Sequence, residues 1–130
     1  MNDAETEYHG QVVGLSQRDK RIFRTLKVIG RRRVLWGATT VFKIEVPSAD
    51  LEQVIRRLQE NMSTKVLFIS QEFYAHFYRG SQLVIVFRDR VFRATTDRTT
   101  WTTAIAHGRE MGIRERQLDF SPCRFEDETY

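Results

Sequence analysis

The sequence predicts an α+β domain, with a mainly antiparallel sheet and helices packed on one of its faces. Three observations carry this. Between Glu72 and Thr96 (EFYAHFYRGSQLVIVFRDRVFRATT) three runs with apolar or aromatic residues at every second position are separated by two polar breaks. Leu51, Val54, Ile55, Leu58 and Met62 stand at the spacing of one helix face. Val34, Trp36, Ala38, Thr40, Phe42, Ile44 and Val46 all occupy even positions, as in a half-buried strand whose odd positions include Lys43 and Glu45.

Taken in order, residues 1–10 read as a disordered acidic tail, and Gln11 to Leu15 as a short strand or ordered lead-in. Ser16 and Asp19 form a Ser-x-x-Asp helix start, followed by Ile22, Phe23, Leu26 and Ile29 at helical spacing and Gly30 as a stop, which predicts a helix over 17–29. The alternating run after Arg33 is long for a small domain, so Gly37 is expected to bend it and the regular strand to lie near 38–46. Pro47-Ser48 stops that strand, and Asp50 and Glu52 suit the positive end of a helix over 49–62. Lys65 to Ile69 (KVLFI) is read as the next strand.

The meander supplies strands near 73–78, 83–88 and 91–95, turning at Arg79-Gly80-Ser81 and Arg88-Asp89-Arg90. Leu83, Ile85 and Phe87 oppose Val84 and Val86, so the middle strand needs cover on both faces. Asp97 or Thr99 caps a helix over 99–111 that carries Trp101, Ala104, Ile105, Gly108 and Met111 and ends at Gly112. Gly108 costs that helix ~1 kcal/mol against alanine, which points to a close packing contact with the sheet. A last edge strand is expected over 117–120 and a flexible acidic tail over 121–130. The result is one domain over 11–120, loosely ferredoxin-like (β-α-β-β-α-β) with an added hairpin.

Composition narrows the function classes. The chain has 130 residues and fifteen aromatics, enough for one well-filled core. The start is acidic, without the basic and apolar pattern of a secretory leader, and the longest aliphatic and aromatic run is Leu83 to Phe87. A cytoplasmic protein without a transmembrane segment is expected. Cys123 is the single cysteine, so no intrachain disulfide and no multi-cysteine metal site can form. The net charge of +4 is concentrated in residues 11–33, where eight Lys/Arg face only Asp19.

Two sets of residues are candidate binding sites. Lys20, Arg24, Lys27 and Arg31 would form a basic stripe on the first helix, extended by Arg32 and Arg33, a pattern suited to phosphates, an anionic membrane or an acidic protein. Tyr74, His76 and Tyr78 would share one strand face beside Arg79, able to stack bases or anchor a protein. RGSQLVIV, however, has Ser81 and Leu83 where an RNA platform would place aromatics. His107 and Glu110 stand at i, i+3 without a third ligand, His9 falls in the expected tail, and Cys123 has no assignable histidine. Arg109, Arg114 and Arg116 alternate with Glu110, Glu115 and Asp119, as in surface ion pairs.

No catalytic residue, cofactor or metal site is assigned. The expected function is a small binding or self-assembly module without catalytic activity, self-associating as a dimer because so many aromatics need cover. The alternatives are a nucleic-acid binder using the basic helix and the Tyr74/His76/Tyr78 face, and a small-molecule enzyme with His76 or His107 in a pocket.

Overall fold

The computed structural model describes residues 7–34, 37, 39–66, 68–120, 125, 128 and 130. Residues 1–6 of the expected tail, Trp36, Ala38 and Cys123 lie outside the described residues. Among the described residues eight strands and two helices follow one another: β1 (Glu7–Val13), β2 (Lys27–Val34), β3 (Thr39–Pro47), α1 (Leu51–Glu60), β4 (Lys65–Val66), β5 (Ile69–Ser70), β6 (Tyr74–Arg79), β7 (Gln82–Phe87), β8 (Val91–Thr95) and α2 (Thr102–Glu110). Six strands form one sheet in the order β2-β3-β1-β6-β7-β8, and every pair in it is antiparallel. The chain is thus α+β with a mainly antiparallel sheet, as its periodicity predicts.

The meander and α1 form where expected. Leu51, Val54, Ile55 and Leu58 are the buried residues of α1, with Met62 buried just past its end. They close one face of the sheet, together with Tyr8, Val12, Ile22, Ile44, Val46, Ala75, Phe77, Val84 and Val86. The second face holds Tyr78, Leu83, Ile85 and Phe87 beneath Trp101, Ala104, Ile113, Leu118 and Phe120. The two helices therefore cover opposite faces and do not share one. The continuous apolar run of β7 requires this, because its odd and even residues both need apolar cover.

Further expectations are corrected. The helix over 17–29 does not form: residues 20–24 make a 3-10 turn capped by the Asp19 side chain, and residues 27–34 are edge strand β2. β2 pairs with β3 from Lys27↔Glu45 to Val34↔Thr39, with a register shift at Val28/Gly30. A tight turn at Gly37 (φ 86°) lies between the two strands, so the expected bend is a hairpin. Pairing along β3 outweighs a helical spacing that rested on β-branched Ile22 and Ile29 and on arginines.

The strand expected over 65–69 is a separate two-stranded hairpin with two residues on each side, and its Phe68 and Ile69 are exposed. Residues 7–10 are no tail, since they begin β1, which pairs with β3 on one side and β6 on the other. Residues 117–120 form no strand: Glu115–Gln117 is a 3-10 turn, and Leu118 and Phe120 plug the second core.

Gly108 is pressed against Leu118 rather than the sheet; an added Cβ would lie 2.6 Å from Leu118 Cδ2. Gly108→Ala is expected to lower stability by about 1 kcal/mol despite its better helix propensity. Combined with Leu118→Ala, which opens the space, the same alanine is expected to be favourable; paired urea titrations of the single and double variants measure both effects.

Candidate functional site: a carboxylate cradle on the sheet

Antiparallel registers put directly opposed residues on the same face. The pairs His9↔Glu45, Gln11↔Lys43, His9↔Tyr78 and Gln11↔His76 therefore gather these six side chains on the second face. That face has two unlike halves. Under α2 and residues 113–120 it is apolar. Over β2, β3 and β1 it carries His9, Gln11, Lys43, Glu45 and Arg32, and residues 125, 128 and 130 lie on it.

The carboxylate of Glu128 is the centre of the arrangement. His9 Nδ1 lies 2.8 and 2.9 Å from its two oxygens. Lys43 Nζ stands 3.5 Å from Oε2, and the Tyr78 hydroxyl donates to the same oxygen. The Lys43 side chain is only 2% exposed. A cation withdrawn from water this far costs several kcal/mol unless an anion compensates it, so the cradle needs a carboxylate. His9 Nε2 points back to Glu45 Oε2 at 4.0 Å. Glu45 in turn accepts a hydrogen bond from the Glu7 carboxyl, which holds Glu7 above its ordinary range and Glu45 below it.

Two aromatic rings flank this carboxylate. Phe125 stacks on His9 with centroids 3.6 Å apart and planes within 6°. The Tyr130 ring lies beneath Lys43 Nζ (4.0 Å) and Arg32 Cζ (5.1 Å), its hydroxyl donates to Gln11 Oε1 at 2.9 Å, and its main-chain oxygen accepts from Lys43. Gly30 gives the ring and backbone their room: a Cβ there would come within 3.0 Å of the Tyr130 carbonyl carbon.

No known protein family, curated protein or solved structure matches the chain.

The residues singled out from the sequence are distributed differently from expectation. Tyr74, His76 and Tyr78 do share a face, but it is no open platform. Tyr78 is fully buried, and Tyr74 packs edge-on against Phe120 and donates to the Gln117 carbonyl. Burial raises the Tyr74 hydroxyl to about 12 and lowers the His76 imidazole to about 4, the nearby Asp119 charge opposing the latter. His76 Nε2 has no hydrogen-bond partner among the described residues. Arg79 is separated from this group: it bonds Ser48 and Gln82 and lies over the Tyr8 ring, on the α1 side.

The basic residues form no helical stripe. Lys20 is turned onto the Gly14 and Gln17 carbonyls, and Lys27 pairs with Glu45 at 3.5 Å. Arg31 opposes Phe42 and Arg32 opposes Val41, so neighbouring arginines project to opposite faces, while Arg24 and Arg33 are exposed. His107 bonds Asp89 at 2.8 Å, which lowers the Asp89 carboxyl, whereas Glu110 is exposed. Arg109 pairs with Glu115, as the alternating charges suggest. Among the described residues no three His, Cys, Asp or Glu side chains are placed to hold a metal ion, and no helix is long and apolar enough to cross a membrane.

Sequence reasoning missed His9, Gln11, Lys43, Phe125, Glu128 and Tyr130. The signal for the first two was present: Tyr8, Gly10 and Val12 alternate with His9, Gln11 and Val13, the mark of a strand beginning before residue 11. Lys43 and Glu45 read as solvent-side residues because nothing local shows that residues more than 80 positions later lie over them.

Proposed function

We propose that this protein is a binding module and that the His9/Lys43/Tyr78 cradle recognises a carboxylate-bearing ligand. The reading is carried by the seat of Glu128, where one carboxylate meets a histidine nitrogen, a buried ammonium and a phenol hydroxyl at once. Two hydrogen bonds, from His9 and Tyr78, and an ion pair with Lys43 converge on this carboxylate and both hold and orient it. The polar half-face tolerates water when vacated, unlike the apolar half under α2.

The test vacates the cradle in the otherwise intact chain by Glu128→Ala. Titration with N-acetylglutamate is expected to give saturable NMR shifts centred on His9, Lys43 and Tyr78. Adding Lys43→Met is expected to weaken that binding at least about tenfold. Shifts without saturation, or an affinity indifferent to Lys43→Met, would sink the reading.

A further inference from the structure

Resting on that reading, we infer that the ligand is an acidic peptide carrying Glu-x-Tyr, and that Glu128 and Tyr130 occupy its site in cis as a displaceable stand-in. Four observations converge. First, the cradle is specific beyond charge: with one residue between them, Glu128 fills the carboxylate seat while Tyr130 fills a separate slot. That spacing matches the two-residue repeat of an extended peptide, whose alternate side chains reach the same surface.

Second, the Tyr130 slot is built for a phenol: two cations lie over the ring, Gln11 accepts from its hydroxyl, and Gly30 leaves its floor bare. Third, Lys43 also bonds the main-chain oxygen of Tyr130, so the occupant is held at two points two residues apart, which a single carboxylate cannot match. Fourth, the surface beneath is polar. A purely structural cover would be more stable over apolar residues, because replacing a buried ion pair by well-packed hydrophobic side chains is often neutral or favourable. A charged face kept under residues 125, 128 and 130 suits exchange of the cover.

Tethering makes the cis segment a strong competitor. Tyr130 lies only ten residues beyond Phe120, which is fixed in the second core, and a short tether supplies an effective concentration on the order of millimolar. A peptide in trans therefore binds the unaltered chain with an affinity reduced by the fraction of molecules whose site is open.

The experiment compares the unaltered full chain with the full chain carrying Glu128→Ala and Tyr130→Ala. The probe is a capped peptide of residues 125–130 (FEDETY), read by fluorescence anisotropy. The peptide is expected to bind the double variant at least about tenfold tighter than the unaltered chain. Within the peptide, changing the glutamate of Glu-x-Tyr to glutamine, or the tyrosine to alanine, is expected to cost at least about tenfold each. Equal binding by the altered peptides, or no binding to the opened chain, overturns the inference. If N-acetylglutamate binds and the peptide gains nothing over it, the peptide assignment falls and the carboxylate reading stands. If neither binds, both fall. A dimer of the unaltered chain that dissociates in the double variant would show a second copy supplying the segment, and would overturn the cis stand-in.

Discussion

Gly10→Ala is expected to destabilise the fold by about 2–3 kcal/mol, far beyond the usual cost of adding a methyl group to a strand. Gly10 opposes Phe77 directly across the β1–β6 pairing, and the Phe77 ring lies over it. A Cβ at residue 10 would stand 2.4 Å from both Cδ1 and Cε1 of that ring. The ring has nowhere to go: it is 0% exposed and belongs to the cluster closed by Leu51, Val54, Ile55 and Leu58 of α1. Either the ring leaves its rotamer or the two strands part. Phe77→Ala by itself is expected to cost about 3–5 kcal/mol through the cavity it leaves. The double variant should cost at least about 1 kcal/mol less than the sum of the two, because each change relieves the strain or fills the space created by the other. Urea unfolding of the four proteins measures this coupling. A loss under about 0.5 kcal/mol for Gly10→Ala would contradict the close approach.

Acidification from pH 7 to pH 4 is expected to remove about 3 kcal/mol of stability through His76 alone. Burial lowers its folded-state value from 6.5 to about 4, so between these limits the unfolded chain binds a proton that the folded chain refuses. The unfolded state is favoured as the pH falls, and stability is fully present above about 6.5. Asp89 and Asp97 act in a lower window. His107 lowers the first and hydrogen bonds from Thr99 the second, so their contributions are lost only as the pH falls below the ordinary carboxylate value of 3.8. The two windows separate the histidine from the carboxylates. His76→Phe should flatten the upper one. It should also raise stability at pH 7 by about 1 kcal/mol, since the ring loses a buried nitrogen with no partner among the described residues. Thermal unfolding of both proteins at intervals between pH 7 and 4 checks this; an unchanged slope in His76→Phe would assign the loss elsewhere.

What could be read from the sequence depended on the distance over which each feature is determined. α1 and the three meander strands are local: their side-chain period alone states which residues are buried, and Leu51, Val54, Ile55 and Leu58 of α1 and Leu83 to Phe87 of β7 are buried accordingly. The 17–29 segment shows the limit. Ile22, Phe23 and Leu26 are core-directed, as a helix would also have placed them, yet the backbone is a 3-10 turn leading into a strand. The deciding factor is pairing with β3 across the hairpin, which residues 17–29 do not display by themselves. The candidate site was least legible because its parts come from β1, β3, β6 and residues 125, 128 and 130. Lys43 in an alternating strand reads as solvent-facing until the chain that covers it is known.

The β1–β6 joint holds together two three-stranded halves, β2-β3-β1 and β6-β7-β8. It has three register pairs, His9↔Tyr78, Gly10↔Phe77 and Gln11↔His76, against seven between β1 and β3. His9 and Lys43 belong to one half and Tyr78 to the other, so an occupant of the cradle acts as a rivet across this short seam. Occupancy and closure of the sheet are then linked by mass action: whatever fills the seat also raises the melting temperature.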